Sequence, residues 1–304
     1  MTSAWKKIVS LAELPSVGLK EAKEKYGIVG ELDRLLTEKR DPKEFLEPLG
    51  QLLDNTPQKS NVLSDDIALY RARRVDENKP FFSDVADLGP PKVSGKNRLN
   101  DEQDPVLYAA FTPYTAAAEI RGRTREVLAI AKIAPRPGHG DLMRFFPLGL
   151  PGGRYASPIR GEADRIVLDY IGREMTKAVS DDPEHKYKYN STIAIAHKFL
   201  RTGLTGTTTP YDTGIIYPSA QIGLSCNDDY FCLATTPASY SRHYHIVEVT
   251  AIIANPISTT QLDSIILNRA TIRGQALDWE HKTFAEMRAA HPYLADIMRP
   301  NPKE

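Results

Sequence analysis

Leucines recur at steps of three and four residues in the first part of the chain, which is the spacing of an amphipathic helix. The pattern runs from Leu19 to about Asp54 and breaks at Asp41-Pro42, where a proline follows a good helix-capping residue. It predicts a helical N-terminal arm, residues 1–60. Because residues 55–66 are polar, we interpret them as a linker to the rest of the chain.

Alternation of apolar and polar positions, which is typical of half-buried strands, begins after this linker. Residues 67–75 alternate and place Leu69, Arg71 and Arg73 on one face. Two arginines on one face of a strand require either an ion-pair partner or a ligand. Further strands are predicted at residues 125–134, 214–218, 229–236 and 243–254.

A short apolar run at residues 106–111 ends at Thr112-Pro113, and a threonine followed by proline is a common helix start. The pattern predicts a strand that leads directly into a helix. Three alanines and then Glu119 follow in this helix. Because alanines add little bulk, a ligand or a sheet can approach the single carboxylate closely.

Helix start signals appear again in the second half of the chain. Ser157-Pro158 repeats the cap followed by proline, and Asn190 precedes another helical pattern, so a helical insertion is predicted at about 136–205. Residues 258–261 have the spacing of a capping box. Together with the helical pattern of the tail, this spacing predicts a helical C-terminal extension, residues 257–304.

Composition narrows the class of protein. The chain has 304 residues, of which 41% are apolar and 26% charged, as in ordinary globular proteins. The 39 basic residues balance the 39 acidic ones, so no net charge attracts the chain to nucleic acid or to an anionic membrane. No apolar run approaches the roughly 18 residues of a membrane helix. We therefore expect neither nucleic acid nor membrane as a partner, and a cytoplasmic location.

The two cysteines, Cys226 and Cys232, are too few for a disulfide framework and are interpreted as buried or inert. His243 and His245 are predicted to share a strand face, but no third ligand has a suitable spacing, so no metal site is predicted. Residues 186–190, KYKYN, interleave basic and aromatic residues and are interpreted as a solvated helix boundary.

Three separated features carry candidate chemistry, and each also has an ordinary structural reading. Arg71 could be an ion-pair partner, Glu119 could pair with Arg123 one helical turn later, and Ser219 could belong to a turn after Pro218. The sequence around Ser219 lacks the GxSxG elbow of many serine hydrolases, which argues against that class.

Taken together, these features resemble the RES family, which is named for an arginine, a glutamate and a serine. The resemblance covers roughly residues 65–255. It rests on LYRARR at 69–74, GKNRLN at 95–100, VLYAAFTPYTAAAEIR at 106–121 and GIIYPSAQ at 214–221. The second element is looser than the family pattern, because Lys96 and Asn97 stand between its glycine and its arginine.

The resemblance implies an α+β fold similar to ADP-ribosyltransferases, with a bent, split β-sheet core, flanking helices and helical N-terminal and C-terminal extensions. It divides the chain into the arm at 1–60, a RES-like NAD-binding catalytic domain at 61–256 and the extension at 257–304. The helical insertion lies within the catalytic domain.

The resemblance also implies a toxin, an enzyme that consumes NAD⁺ as its substrate, without a metal, by cleaving the nicotinamide–ribose bond. It assigns catalysis to Arg71, Tyr108, Glu119 and Ser219. It assigns NAD⁺ binding to Arg71, Arg98, Asn100, Tyr108 and Gln221. The residue types suit this chemistry, because guanidinium groups bind pyrophosphate and a carboxylate stabilises positive charge that develops on the ribose.

Several alternatives remain open at this stage. NAD⁺ phosphorolysis would use inorganic phosphate as acceptor, hydrolysis would use water, and a protein ADP-ribosyltransferase with the same site would use a protein acceptor. In a different class, the chain would be a catalytically silent module that senses NAD⁺. Members of the family that act as toxins often pair with an antitoxin protein, so a cognate antitoxin is a further expected partner.

Overall fold

Nine strands form one mixed sheet in the computed structural model of the chain, which describes residues 16–56, 60–102, 104–120, 126–179, 182–201, 212–258 and 261–293. The strands are β1 Leu69–Arg74, β2 Leu107–Ala110, β3 Val127–Pro135, β4 Met143–Pro147, β5 Asp212–Pro218, β6 Phe231–Thr235, β7 Tyr244–Ser258, β8 Gln261–Arg273 and β9 Ala276–Trp279. Their order across the sheet is β4-β5-β6-β2-β1-β3-β7-β8-β9. The β4–β5 pair is parallel and the other neighbours are antiparallel.

Seven α-helices accompany the sheet in the described part of the chain. They are α1 Ser16–Thr37, α2 Leu46–Leu53, α3 Pro113–Glu119, α4 Glu162–Thr176, α5 Asn190–Leu200, α6 Pro237–His243 and α7 Phe284–Ala290. The fold is therefore a mixture of helices with one large mixed sheet.

Apolar side chains cover both faces of the sheet. In β3, Leu128 and Ile130 belong to one buried cluster, whereas Ala129 and Ile133 belong to the other. The first cluster also includes side chains of α1, α2, α4 and α5. Because successive strand residues point to opposite faces, one strand contributes to both clusters.

The N-terminal arm packs on the insertion, since α1 contacts α2, α4 and α5. Lys25 of α1 is buried, and its ammonium group donates to the carbonyls of Gln51, Leu52 and Asp54 at the end of α2. These carbonyls lack partners within their own helix, so Lys25 caps it. Burial lowers the pKa of Lys25.

Most predicted elements of the first two thirds of the chain are observed. Asp41 caps a short 3₁₀ helix, Pro42–Phe45, at the predicted interruption of the arm. Thr112 caps α3, and its hydroxyl accepts from the Thr115 N–H at 3.1 Å. By contrast, α4 begins at Glu162 rather than at Ser157-Pro158.

The predicted helical C-terminal extension is wrong for residues 261–279. The capping-box spacing at 258–261 is followed by β8, which pairs with β7, and then by β9. The predicted boundary at 256 falls inside β7. A capping box is a local signal, and the long antiparallel pairing with β7 outweighs it. In the described part of the tail the helical pattern corresponds to α7 alone, and its residues after 293 lie outside the described chain.

Within the described residues, no helix combines the length and the apolar character needed to cross a membrane.

Candidate functional site

The sheet splits between β1 and β2. Over these two strands the registered pairing is limited to Tyr70↔Ala110, although β1 pairs with β3 along all six of its residues. A cavity of about 670 Å³ opens at this divergence, within the size range of small-molecule sites. It is lined by residues of β1, β2, α3, β5 and β6 and of the segments at 97–98 and 189.

Arg71 lines this cavity from β1. Its Nη1 donates to the Tyr108 carbonyl at 2.7 Å and so bridges the two strands where they diverge. Its Nε is buried and has no hydrogen-bond partner among the described residues. Burial, and then repulsion by Arg73, lowers the pKa of Arg71 to about 10, which leaves the group charged at neutral pH.

Arg73 lines the same cavity two residues further along β1. Its Nη2 donates to the Gly89 carbonyl at 3.2 Å, and its Nε is also buried without a partner in the described chain. Burial lowers the pKa of Arg73, and the charge of Asp87 opposes this effect. No described carboxylate forms an ion pair with either arginine. The cavity is therefore lined by more positive than negative charge, and two of its guanidinium groups each have a donor without a partner in the described chain.

Glu119, the last residue of α3, places a carboxylate in the cavity. Its Oε1 accepts a hydrogen bond of 2.5 Å from the Ser219 hydroxyl. Ser219 follows β5, is fully buried, and accepts from the Gln221 and Ile222 N–H groups at 3.3 Å each. Ser219 thus fixes the Glu119 carboxylate and does not itself line the cavity.

Tyr108 lines the cavity, and its hydroxyl forms hydrogen bonds within the chain. The hydroxyl donates to Asn100 Oδ1 at 2.8 Å and accepts from the Leu99 N–H at 2.9 Å. Burial raises the pKa of Tyr108. Asn100 is buried, and its amide nitrogen donates to Ser94, Gly95 and Asp101. Asn100 therefore holds the ring of Tyr108 in place and is not open to a ligand.

Arg98 lines the cavity, but its guanidinium caps the C-terminus of α4. Nη1 donates to the Met175 carbonyl at 2.6 Å, and Nη2 donates to the Lys177 carbonyl at 2.9 Å. The guanidinium lies 5.6 Å from the ring centre of Tyr189, which also lines the cavity. Arg98 thereby attaches the inserted segment to the site.

Tyr217 and Cys232 are buried residues of β5 and β6 that also line the cavity. Burial raises the pKa of both groups, and the nearby negative charge of Glu119 adds to the effect, so both remain protonated. Gln221 is exposed and lines the cavity after β5. Of the two cysteines interpreted as buried or inert, Cys232 is buried and Cys226 is exposed, and both are free thiols.

The structure brings Arg71, Arg98, Tyr108, Glu119 and Gln221 to one cavity, with Ser219 and Asn100 directly behind Glu119 and Tyr108. Sequence reasoning missed Tyr189. This tyrosine ends the 3₁₀ helix Pro183–Tyr189 and belongs to the stretch interpreted as solvated. The interleaved aromatic residues of 186–190 were the available signal. The sequence places Arg73 on the same strand face as Arg71 but indicates no role for it.

The histidines form a different cluster from the one expected. His243 ends α6 rather than lying on a strand, and its Nε2 is 2.5 Å from Asp212 Oδ2. Its Nδ1 is 3.2 Å from His139 Nδ1, whereas His245 lies on β7. Among the described residues, no group of three or more His, Cys, Asp or Glu side chains could hold a metal ion.

The family model of the RES domain matches residues 68–250, more than half of the chain. This segment runs from β1 into β7 and contains every residue that lines the cavity. No curated protein matches the chain.

Proposed function

Because the chain belongs to the RES domain family, we propose that the cavity between β1 and β2 binds NAD⁺ and that the protein cleaves its nicotinamide–ribose bond. Membership of this family is consistent with an NAD-related function of the toxin–antitoxin type. One observation carries the proposal: Arg71 and Arg73, which form no ion pair with a described carboxylate, line the same cavity as the fixed carboxylate of Glu119.

The arginines suit the pyrophosphate of NAD⁺. A charged guanidinium that lacks a carboxylate partner is costly to bury, and an anionic ligand removes that cost. Hydrogen bonds between charged partners contribute about 1.5–3 kcal/mol each. Arg71 and Arg73 are therefore the proposed pyrophosphate ligands. Arg98 is left with a supporting role, because its Nη1 and Nη2 atoms already bind α4.

The carboxylate suits the reacting ribose. Cleavage at the anomeric carbon passes through an oxocarbenium-like state, and a carboxylate held near that carbon stabilises its positive charge. Glu119 takes this role in the proposal, and Ser219 keeps the carboxylate in position. The Tyr108 ring offers an apolar face to the nicotinamide ribose, and the exposed Gln221 amide offers a hydrogen bond to the nicotinamide.

The split between β1 and β2 supports the proposal of an ADP-ribosyltransferase-like core within a catalytic domain of residues 61–256. In this proposal the cytoplasm supplies NAD⁺, and a cognate antitoxin restrains the activity by covering the cavity. Inorganic phosphate is the proposed acceptor for phosphorolysis, and water is the acceptor for hydrolysis.

The products identify the reaction. The purified chain is incubated with NAD⁺, with and without inorganic phosphate, and the products are identified by mass spectrometry. ADP-ribose-1″-phosphate that forms only with phosphate supports phosphorolysis, and free ADP-ribose supports hydrolysis. A protein whose mass increases by one ADP-ribose indicates a protein ADP-ribosyltransferase. If NAD⁺ binds but stays intact in all samples, the result would contradict the proposal and support the catalytically silent module that senses NAD⁺.

A further inference from the structure

A second cavity of about 680 Å³ lies at the end of the sheet where β3 ends and β7 begins. The loop at 85–92, helix α6 and the turn between β8 and β9 complete its wall. No residue lines both this cavity and the one between β1 and β2. The second cavity is therefore a separate place for a ligand.

The charged side chains that line the second cavity have one sign. Lys92 and Arg136 line it, and no described lining residue is acidic. His245 lines it as a neutral side chain, because burial lowers its pKa. Arg136 donates from Nη2 to the Ser241 carbonyl at 3.3 Å, and neither Arg136 nor Lys92 forms an ion pair with a described carboxylate. His245 Nδ1 is buried and has no hydrogen-bond partner in the described chain. Donors for an anion are thus present without an internal acceptor that neutralises them.

Most of the remaining wall is apolar, and part of it is rigid. Pro90, Pro91 and Pro237 contribute fixed rings, and Tyr240 and Tyr244 contribute aromatic side chains that are at least nine-tenths buried. Prolines and buried aromatic residues lose little conformational freedom when a ligand binds. A flat ring is the ligand group that such a wall accommodates best.

We propose that the second cavity binds a small aromatic phosphate ester, with its ring against the prolines and tyrosines and its phosphate on Lys92 and Arg136. A phosphate dianion matches two separate cations better than a single carboxylate does. The site also lies close to the first cavity. Gly89, which lines the second cavity, accepts a hydrogen bond of 3.2 Å from Arg73, which lines the first.

Binding of phenyl phosphate to the full chain, measured by calorimetry without NAD⁺, tests this proposal. We expect the double variant Lys92→Ala with Arg136→Ala to bind phenyl phosphate about tenfold or more weakly, because each substitution removes a charge-assisted contact with the phosphate. Both residues are exposed, so the variant is expected to keep the fold. The matched control is Arg160→Ala, an exposed arginine of another cavity that is paired with Asp164.

Inorganic phosphate serves as the second probe, and we expect it to bind more weakly than phenyl phosphate because it has no ring. Equal affinity for the two probes would overturn the assignment of the ring. Absence of saturable binding would overturn the site, and so would equal affinity of the double variant and Arg160→Ala. Since neither NAD⁺ nor turnover enters the measurement, failure here leaves the proposed function untouched.

Discussion

Ser219 and Glu119 have different tasks, although a sequence comparison would group both as site residues. Glu119 lines the cavity, whereas Ser219 is fully buried and reaches the site only through the carboxylate that it holds. In the proposed function Arg71 and Arg73 contact the ligand themselves, since both line the cavity and their Nε atoms lack partners in the described chain. At the scale of the residue, substitutions can therefore distinguish side chains that contact the ligand from a side chain, such as Ser219, that positions another residue.

Ser219→Ala removes the hydrogen bond to Glu119 Oε1 and leaves the cavity lining intact. We expect kcat to fall by about tenfold, the equivalent of 1.4 kcal/mol of lost positioning, while KM for NAD⁺ stays nearly constant. Steady-state kinetics measure this split. A variant with a raised KM and an unchanged kcat would show instead that Ser219 binds NAD⁺ directly.

Arg71→Ala removes a guanidinium that has no carboxylate partner in the described chain. We expect the affinity for NAD⁺ to fall by about tenfold or more, because a charge-assisted contact with pyrophosphate is lost. Titration calorimetry gives the affinity. Arg144→Ala, which changes a β4 residue outside the cavity lining, is the matched control. Equal affinities of the two variants would remove Arg71 from the binding site.

At the scale of the element, the inserted segment is part of the site. Arg98 joins the loop at 95–100 to the end of α4, and Tyr189 reaches the cavity from the segment before α5. The sequence indicated the insertion and the arginine but could not show their contact. Arg98 and the α4 carbonyls are separated by more than 70 residues, and no local pattern encodes such a pairing.

Arg98→Ala tests whether the arginine is primarily a cap of α4. The change leaves helix-terminal carbonyls without partners, so we expect a loss of about 1.5–3 kcal/mol in the free energy of unfolding. We expect NAD⁺ affinity to change less than it does in Arg71→Ala. Denaturant unfolding and calorimetry measure the two effects. Unchanged stability with strongly weakened binding would support the role of pyrophosphate ligand.

The elements differ in how well local sequence predicts them. The step from β2 into α3 was predictable because Thr112 and Pro113 are a local start signal, and the structure has the cap. The capping-box spacing predicts a helix for the segment that forms β8. The prediction is wrong because this segment pairs with β7, and no local signal encodes that pairing. Likewise, Glu119 was identified as a site residue, but the burial of Ser219 behind it required the fold.

At the scale of the whole molecule, two histidines link folding to pH. Burial is the largest cause that lowers the pKa of His197 and of His245. As the pH falls below about 6.5, both histidines bind protons in the unfolded chain while they are still neutral in the folded protein. The unfolded state then binds more protons, and stability rises with pH between the lowered folded values and about 6.5. Acidification through this window therefore destabilises the fold.

Thermal unfolding at pH 7.5 and 5.5 measures this linkage. We expect the wild-type Tm to be lower at pH 5.5, and we expect the double variant His197→Gln with His245→Gln to lose less. Comparing each protein with itself removes any constant effect of the substitutions. An equal decrease in both proteins would assign the pH dependence to other groups.

The central claim is that the cavity between β1 and β2 cleaves the nicotinamide–ribose bond of NAD⁺, and nicotinamide release tests it most directly. Wild type and Glu119→Gln are incubated with NAD⁺ and free nicotinamide is quantified, with Glu248→Gln as the control because Glu248 is an exposed glutamate of β7. The account predicts release by wild type and control, and a rate lower by about 100-fold or more in Glu119→Gln. Equal rates in all three proteins, or no release by wild type, would contradict it.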